Sequence, residues 1–260
     1  MDDSNDQQQA DLQHFIQETR GQLQKRLLNE LVAVQNRVYS QLESLSWLQK
    51  ALTLKWSMPP LRGWATSPDV LLKLHEHIRL TRPKLVVECG SGASTLVIAD
   101  ALRQNGMGRL VTLEHKAFYA AKTQEYLDRE DLAGLVDIRV GDLEPWPHPH
   151  LNQTGEPLFW YPEALVKDLK SIALLLVDGP PGNTCQYARY PAVPAMAGKL
   201  ARKAEVWMDD TGRQDEKDIC QAWAKDYRFK LEFIPLEKGL GRLVRGSARD
   251  PRKSAVKKPV

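Results

Sequence analysis

A carboxylate followed at once by a glycine turn stands in the stretch VVECGSGAST, residues 86–95. Gly90 and Gly92 can let the backbone turn tightly and approach a ligand, because a side chain would fill that space. Glu88 would repel a phosphate and attract an ammonium or sulfonium group. A helix starting near Ser94 would point its amide groups at the same place, where they can hold a carboxylate or phosphate. The stretch therefore predicts a site for a ligand with a positively charged end.

Two more acids follow the next two predicted strands. Glu114 closes the strand RLVTLE and can accept hydrogen bonds from ribose hydroxyls. Asp142 follows the strand VDIRV and can accept a hydrogen bond from an adenine amino group. Because parallel strands bring their carboxyl ends to one edge of a sheet, both acids should lie near Glu88. Together the three acids predict a ligand that carries adenosine and a positive charge.

Three acids at the ends of two later strands could hold a metal ion. Asp178 ends the apolar run IALLLV, and Asp209 with Asp210 ends the strand EVWM. Neighbouring strands lie about 4.8 Å apart, so these carboxylates can converge on one point. Oxygen donors of this kind suit Mg²⁺ or a similar hard divalent cation. In a site without metal, Asp178 could instead act as the general base.

The elements around these residues alternate between strand and helix after Pro83. The run IALLLV is apolar throughout, which is typical of a central strand buried on both faces. The last two strands are joined by PLEKG, a connection short enough only for an antiparallel hairpin. The pattern predicts an α/β fold: a doubly wound, mostly parallel seven-stranded sheet with an antiparallel last strand, preceded by a long N-terminal helix. Further helices are expected at about 68–81, 185–200 and 214–226.

A long helix should precede the sheet. Apolar residues recur from Leu12 to Leu45 at about 3.7 residues per turn, and polar side chains fill the rest of the segment. So narrow a stripe has no core of its own, and the helix must therefore dock on the body or pair with another chain. We divide the chain into a disordered start (1–8), a long helix and possible coiled coil (9–56), the sheet domain (57–246) and a basic disordered tail (247–260).

Residues 143–170 interrupt the alternation of strands and helices. The stretch is rich in proline and aromatic residues, so we expect a surface insertion with one helical turn near PEALVKDL. His148 and His150 within it could reach a pocket or a metal, although a solvated loop is the simpler interpretation.

Composition and charge argue against several classes of protein. The net charge is +3 and part of the excess lies near the C-terminus, so the body is close to neutral and no nucleic-acid partner is expected. No apolar run is long enough for a transmembrane segment. The N-terminus has no signal-peptide pattern and the three cysteines have no framework spacing, which predicts a cytoplasmic location.

Residues 84–245 resemble a class I S-adenosylmethionine-dependent methyltransferase. VVECGSGAST is similar to the first motif of that family, LVTLEH to the second and VGDL to the third. The resemblance implies S-adenosylmethionine as the cofactor. The residues that it places on the cofactor side are Glu88, Gly90, Ser91, Gly92, Glu114, His115, Asp142 and Leu143.

The resemblance also implies which part of the cofactor each residue meets. The turn from Gly90 to Gly92 would line the methionine part, Glu114 the ribose, and Asp142 with Leu143 the adenine. Related enzymes fold a lid over the cofactor at the position of the loop PPLRGWATSP. The residues that such a lid would bring to the ligand are Arg62, Trp64 and Ser67.

The acids at 178, 209 and 210 resemble the metal ligands of the catechol-type O-methyltransferases. In those enzymes a lysine base stands three residues after the first metal acid, and this chain has Pro181 there. The stretch DGPPG resembles a subgroup of bacterial methyltransferases linked to surface sugars, which hints at a sugar or phosphosugar acceptor.

We therefore predict methyl transfer from S-adenosylmethionine to a hydroxyl of a small molecule or glycan, with Asp178 as the catalytic residue and Mg²⁺ or a similar cation assisting. Transfer to oxygen is favoured over transfer to nitrogen. The alternatives are an NAD(P)-dependent oxidoreductase, against which Glu88 and Thr95 count, and an inert methyltransferase-like adaptor. Residues 9–50 could bind a second copy of the chain or a partner enzyme.

Overall fold

A computed structural model describes residues 3–148, 151 and 155–245. The strands in this part of the chain are β1 (Leu85–Cys89), β2 (Arg109–Glu114), β3 (Val136–Val140), β4 (Glu144–Pro145), β5 (Phe159–Trp160), β6 (Ile172–Val177), β7 (Leu200–Asp209), β8 (Phe229–Ile234) and β9 (Leu240–Arg245). The α-helices are α1 (Asp3–Ala51), α2 (Pro68–Thr81), α3 (Ala93–Asn105), α4 (Ala117–Arg129), α5 (Ala192–Met196) and α6 (Gln214–Asp226).

The main sheet confirms the predicted fold class. Seven strands lie in the order β3-β2-β1-β6-β7-β9-β8, and every neighbouring pair is parallel except the two that contain β9. β6 lies in the middle of the sheet and is apolar on both faces, as its sequence predicts. The strand order reverses between β1 and β6, so the turns after these two strands lie side by side at the switch point.

Helices cover both faces of the sheet. One face packs on α2 and α3 through residues such as Val86 and Leu174. The other face packs on α5, α6 and the insertion through residues such as Val87 and Leu175. Because successive side chains of a strand point to opposite faces, these neighbours in sequence belong to different layers of the core.

Two of the predicted helices are confirmed, and a third is much shorter than predicted. α2 and α6 have the expected bounds, but the prediction of a helix over 185–200 is wrong for most of its length, since α5 covers only Ala192–Met196. Pro191 disfavours helical backbone at the residue before it, and the chain runs in turns up to that point. These turns bring the side chain of Arg189 into the interior, where it is buried.

α1 begins at Asp3 and ends at Ala51, whereas we expected a helix over 9–56 after a loose start. Its last turns hold it to the body, where Leu48 is fully buried in a cluster with Leu71 and Val97. Among the described residues, no helix is both long and apolar enough to cross a bilayer. The tail at 247–260 lies outside the described residues.

The insertion is packed more deeply than a surface loop. A helical turn at Glu163–Val166 confirms the turn predicted there. However, β4 and β5 pair as two short antiparallel strands, and Trp160 with Tyr161 is buried in the main core. Large aromatic side chains bury much apolar area, so they anchor this segment on the sheet. His148 is exposed, and His150 lies outside the described residues.

Candidate active site

Glu88 is fully buried near the end of β1. Its Oε2 atom accepts a hydrogen bond of 2.6 Å from Thr95 Oγ1, which in turn accepts one of 2.9 Å from the amide of Gly92. The acid, the glycine turn and the start of α3 are thus joined by one chain of hydrogen bonds. The other carboxylate oxygen, Oε1, has no hydrogen-bond partner within the described part. Burial raises the pKa of Glu88 to about 7, although the nearby hydroxyl groups of Ser94, Thr95 and Thr112 oppose the shift.

Gly90 begins the turn after β1 with a φ of +90°, in the region where a side chain would be strained. A Cβ atom there would lie 3.4 Å from the amide nitrogen of Gly179, in the turn after β6. Gly179 is tighter still, because its Cβ would lie 2.5 Å from the hydroxyl oxygen of Tyr161. At Gly92, by contrast, a Cβ would meet no atom within 4 Å. The two turns therefore touch as bare backbone, and open space remains beside Gly92.

Glu114 ends β2 beside the same turn. Its Oε2 atom accepts hydrogen bonds of 2.9 and 3.2 Å from the hydroxyl and amide of Ser91, and Oε1 accepts one of 2.9 Å from the amide of Lys116. Nδ1 of His115 lies 3.2 Å from Oε1 but without the alignment of a hydrogen bond. Burial raises the pKa of Glu114, yet the contacts with His115, Lys116 and Ser91 outweigh burial and leave the pKa below its usual value. Glu114 is therefore held as a carboxylate next to the glycine turn.

The other residues predicted on the cofactor side lie further out. Asp142 is exposed after β3, and Leu143 is partly buried against the core. Because β3 runs parallel to β2, Asp142 lies beyond the same edge of the sheet as Glu114. His115 is partly buried with its ring edge-on to that of Tyr161, and the ring centroids are 6.4 Å apart. The structure thus joins Glu88, Ser91 and Glu114 closely and leaves Asp142 open to solvent.

Asp178 follows β6 and lies next to the glycine turn, since its amide donates a hydrogen bond of 3.1 Å to the carbonyl oxygen of Cys89. Its Oδ2 atom accepts a hydrogen bond of 2.9 Å from Thr66 Oγ1, and Oδ1 lies 3.3 Å from Nη2 of Arg189. Burial raises the pKa of Asp178 to about 6, although the charge of Arg189 opposes the shift. A carboxylate with such a pKa is mostly ionised at neutral pH and readily takes up a proton, as a general base must.

The buried guanidinium of Arg189 occupies the point at which the metal ion was expected. Its Nη2 atom donates hydrogen bonds of 2.9 Å both to the carbonyl oxygen of Asp178 and to Oδ2 of Asp210. Nη1 donates one of 3.1 Å to the carbonyl oxygen of Asp209. The carboxylates of Asp178 and Asp210 therefore converge as the strand ends predict, but they converge on an arginine. A divalent cation at this point would be repelled by the fixed positive charge.

Asp209 is turned into the interior. Its Oδ1 atom accepts a hydrogen bond of 2.8 Å from the amide of Asp210, and Oδ2 has no partner within the described part. Burial, followed by the charges of Asp178 and Asp210, raises the pKa of Asp209 well above its usual value. In the described part of the chain no group of three His, Cys, Asp or Glu side chains is arranged to hold a metal ion. The three acids predicted as metal ligands therefore do not fit that role.

Sequence reasoning did not find two side chains that contact Asp178. Thr66 is buried in the loop before α2 and is far from Asp178 in the chain, so no local pattern links them. Arg189 stands in QYARYPAVPAM, where a lone charge in an apolar stretch could have indicated a buried ion pair. Of the lid residues that were predicted, Arg62 and Trp64 are exposed and Ser67 is buried, with its hydroxyl 2.6 Å from Asp69 Oδ1.

Comparison with known proteins shows what the chain is similar to. A family model described as a methyltransferase domain matches residues 87–211, which contain the glycine turn and the acids at 88, 114, 142, 178, 209 and 210. Over this stretch the chain is similar to methyltransferases, in agreement with the predicted resemblance to the class I S-adenosylmethionine-dependent enzymes. Its fold is similar to that of the SAH-bound methyltransferase PaMTH1 of Podospora anserina, with a TM-score of 0.56, 16% identity, and coverage of 79% of this chain and 87% of the other.

Two further proteins that are similar to this chain carry more specific names. An O-methyltransferase of Bacillus cereus, solved in complex with SAH, is similar in fold with a TM-score of 0.55 at 16% identity. The match covers 80% of this chain and 91% of the Bacillus chain. A catechol O-methyltransferase of Niastella koreensis is 42% identical over 65 residues. That match covers 24% of this chain and 28% of the relative, so the chain spans less than a third of that enzyme's length in the alignment.

Proposed function

We propose that this chain transfers a methyl group from S-adenosylmethionine to a hydroxyl oxygen of a small molecule or glycan. The observation that carries the proposal is the position of Glu88, Glu114 and Asp178 around the switch point of the sheet. The names of two relatives, a catechol O-methyltransferase and an O-methyltransferase, support oxygen as the acceptor atom.

The residues at the glycine turn fit S-adenosylmethionine. The unpartnered Oε1 atom of Glu88 suits an ammonium group, because a buried carboxylate without a partner is costly. The space beside Gly92 is open to the methionine part, and ionised Glu114 can accept hydrogen bonds from ribose hydroxyls. Asp142 and Leu143 would line the site of the adenine. When bound, S-adenosylmethionine supplies a methyl group on a sulfonium sulfur.

Asp178 is the base in this proposal. It lies between the glycine turn and the loop that carries Thr66, and its side chain retains 15% exposure, so an acceptor can reach it. Asp178 would take the proton of the acceptor hydroxyl while the oxygen bonds to the methyl carbon and the methyl–sulfur bond breaks. Arg189 fixes the orientation of Asp178 through its backbone and side-chain oxygens. Holding the base in one geometry lowers the entropy lost on reaction.

We further propose that the transfer needs no divalent cation. The cation of a catechol-type site would balance the negative charges of the strand-end acids, and here the guanidinium of Arg189 balances them instead. The charge of arginine persists at any working pH, since its pKa is far above neutral. The departure at Pro181, where a lysine base stands in catechol-type enzymes, agrees with an acceptor chemistry of a different kind.

Calorimetric titration with S-adenosylhomocysteine tests cofactor binding. We expect a dissociation constant on the order of micromolar for the wild type and much weaker binding for Glu114→Gln. Glu76→Gln, which changes an exposed acid of α2, is the matched control and should bind like the wild type. Absence of binding by the folded wild-type chain would refute the proposed function.

A methyl-transfer screen against sugar, phosphosugar and phenolic acceptors then tests the chemistry. Each reaction is run with Mg²⁺ and with a chelator. We expect at least one hydroxyl acceptor to be methylated at the same rate under both conditions. Activity that disappears in chelator and returns with Mg²⁺ would contradict transfer without a cation but leave methyl transfer standing.

We also infer a cytoplasmic location. The cysteines Cys89, Cys185 and Cys220 all carry free thiols, as is usual in a reducing compartment. Fractionation of the source cells, followed by detection of the chain with an antibody, checks this inference. Recovery of the chain from an oxidising compartment would contradict it.

A further inference from the structure

The N-terminal half of α1 stands clear of the body. Hydrogen bonds to the body begin in the last third of the helix. There Gln41 Nε2 donates a hydrogen bond of 2.8 Å to Asp69 Oδ2. Every residue from 13 to 40 is exposed except Gly21, which is partly buried. At 1.5 Å per residue this free segment is about 42 Å long. Most of the stability of a helix in a protein comes from the packing of its apolar face, and this segment has no such packing within the described part of the chain.

The free segment carries a stripe of large apolar side chains, which we call the α1 stripe. Its members are Ile16, Leu23, Leu27, Leu31, Val34 and Val38, and all of them are exposed. With about 100° of rotation per residue, all six lie within about 40° of the direction of Leu27. They therefore form one narrow apolar face, and nothing in the described part of the chain covers it.

The α1 stripe has a mirror pattern about Leu27. Ile16 and Val38 lie at equal distances in sequence before and after Leu27, and so do Leu23 and Leu31. When two copies of a helix pair in opposite directions about a two-fold axis, residues at equal distances from the axis face each other. An axis at Leu27 would thus place Ile16 opposite Val38 and Leu23 opposite Leu31 of the partner subunit, with Leu27 facing its own copy.

Arg20 distinguishes the antiparallel from the parallel arrangement. It lies within about 20° of the direction of Leu27, so it belongs to the same face as the α1 stripe. In a parallel pair Arg20 would meet Arg20 of the partner subunit, and like charges in contact are unfavourable. In the antiparallel pair it faces Val34 of the partner subunit, where its aliphatic stem can pack and its charged end can reach water.

The body also opposes a parallel pair. Leu45 and Leu48 continue the same face of α1, and Leu48 is already buried against the body with Leu71 and Val97. In a parallel pair, both bodies would lie at the same end of the two helices. Each body would also lie on the face of α1 that must contact the partner helix, so the two bodies would compete for the same space. Antiparallel helices place the bodies at opposite ends and leave the segment between residues 16 and 38, about 33 Å, for contact.

A charge pair at the edge of the stripe agrees with this arrangement. Arg26 and Glu30 lie on one side of the apolar face, about 100° and 60° from Leu27. Rotation about the two-fold axis at Leu27 brings Glu30 of one chain beside Arg26 of the partner subunit, and the pair occurs twice by symmetry. Opposite charges beside an apolar seam commonly set the orientation of paired helices.

We propose that the α1 stripe binds the α1 stripe of a second copy of the chain, antiparallel, about a two-fold axis at Leu27. The partner is a second copy rather than another protein because the pattern is complementary to itself in both apolar positions and charge. The inference is independent of the proposed methyl transfer.

Light scattering of the full-length chain across a dilution series tests the association. We expect a mass twice the 29.5 kDa of one chain for the wild type and the mass of one chain for Leu27→Glu. Val32→Glu is the matched control, since Val32 is 55% exposed and Leu27 53% exposed, but Val32 lies on the opposite side of the helix. Thermal melting of each variant checks that the body remains folded. A monomeric wild type, or a dimer that Leu27→Glu leaves intact, overturns the proposal.

Cysteine cross-linking tests the direction of the pair. The variants are made with Cys185→Ser, because Cys185 is partly exposed while Cys89 and Cys220 are buried. Under mild oxidation Leu27→Cys should form a disulfide with itself. Ile16→Cys and Val38→Cys should each remain unlinked alone and should cross-link when mixed. Self-linkage of Ile16→Cys would show a parallel pair and overturn the antiparallel arrangement.

Discussion

Ionisation of Glu88 should control how tightly the chain binds S-adenosylhomocysteine. Burial raises the pKa of Glu88 from the usual 4.5 to about 7. A shift of this size corresponds to a cost of about 3 kcal/mol for placing the charge at this site. An ammonium group beside the unpartnered Oε1 atom would favour the charged form. Ligand binding and loss of the Glu88 proton should therefore be linked.

The linkage gives a definite pH dependence. If only the ionised carboxylate binds well, affinity should fall about tenfold between pH 8 and pH 6, because the ionised fraction falls by that factor around a pKa of about 7. Calorimetry at several pH values, in two buffers of different ionisation enthalpy, measures both the affinity and the protons released. Glu88→Gln should bind weakly at every pH and release no proton, whereas Glu76→Gln should behave as the wild type.

Affinity that is independent of pH in the wild type would refute this reasoning. So would a Glu88→Gln variant that keeps the wild-type pH dependence, because the titrating group would then lie elsewhere. Tight binding by Glu88→Gln at pH 8 would show that the carboxylate is structural and does not meet the ligand.

The same residue should affect stability in the absence of ligand. Because the folded pKa lies above the unfolded one, the folded chain holds the proton more tightly, and stability falls as pH rises from about 4.5 to about 7. Urea denaturation should therefore show Glu88→Gln to be more stable than the wild type at pH 8, by up to about 3 kcal/mol, with little difference below pH 4.5. Equal stability of the two proteins at pH 8 would contradict the raised pKa.

Three other substitutions test the site. Asp178→Asn should reduce the methyl-transfer rate by about 10²- to 10⁴-fold with little change in S-adenosylhomocysteine affinity. The wild-type rate should rise as pH increases through about 6, because Asp178 must be ionised to act as a base. A variant of full activity would exclude Asp178 as the base. Glu114→Gln should weaken S-adenosylhomocysteine binding in the titration above, and an unchanged affinity would remove Glu114 from the ribose site. Arg189→Met should lower the free energy of unfolding by about 3–5 kcal/mol, because it leaves buried carboxylates unpaired. Arg213→Met is the control in the same denaturation experiment, since Arg213 is 45% exposed although it contacts the same Asp210, and it should cost less than about 1 kcal/mol.

The sequence predicted those features that depend on neighbours along the chain. The apolar run of β6 and the short PLEKG connection determine a central strand and a hairpin by local physics, and both are present in the sheet. The glycine turn is equally local, because the φ of +90° at Gly90 favours glycine in any context. Parallel strands must end at one edge, so the convergence of Asp178 and Asp210 was also predictable.

The sequence could not predict what fills the space between those acids. Arg189 reaches them only because the chain before Pro191 runs in turns instead of the predicted helix. Likewise, a periodic stripe predicts that α1 is a helix, but not which part of it docks on the body. Contacts of Leu48 with Leu71 and Val97 decide that question, and they leave the segment around Leu27 uncovered.

Taken by itself, the sequence determined the resemblance to a family, the order of the elements and the placement of acids at strand ends, since each follows from local patterns. Only the tertiary structure decided the ionisation of Glu88 and the partner of Asp178. The physical reason is that desolvation and charge pairing depend on atoms brought from distant parts of the chain, such as Thr66 and Arg189 around Asp178. A cluster of strand-end acids can thus enclose a cation or an arginine, and folding determines which of the two it holds.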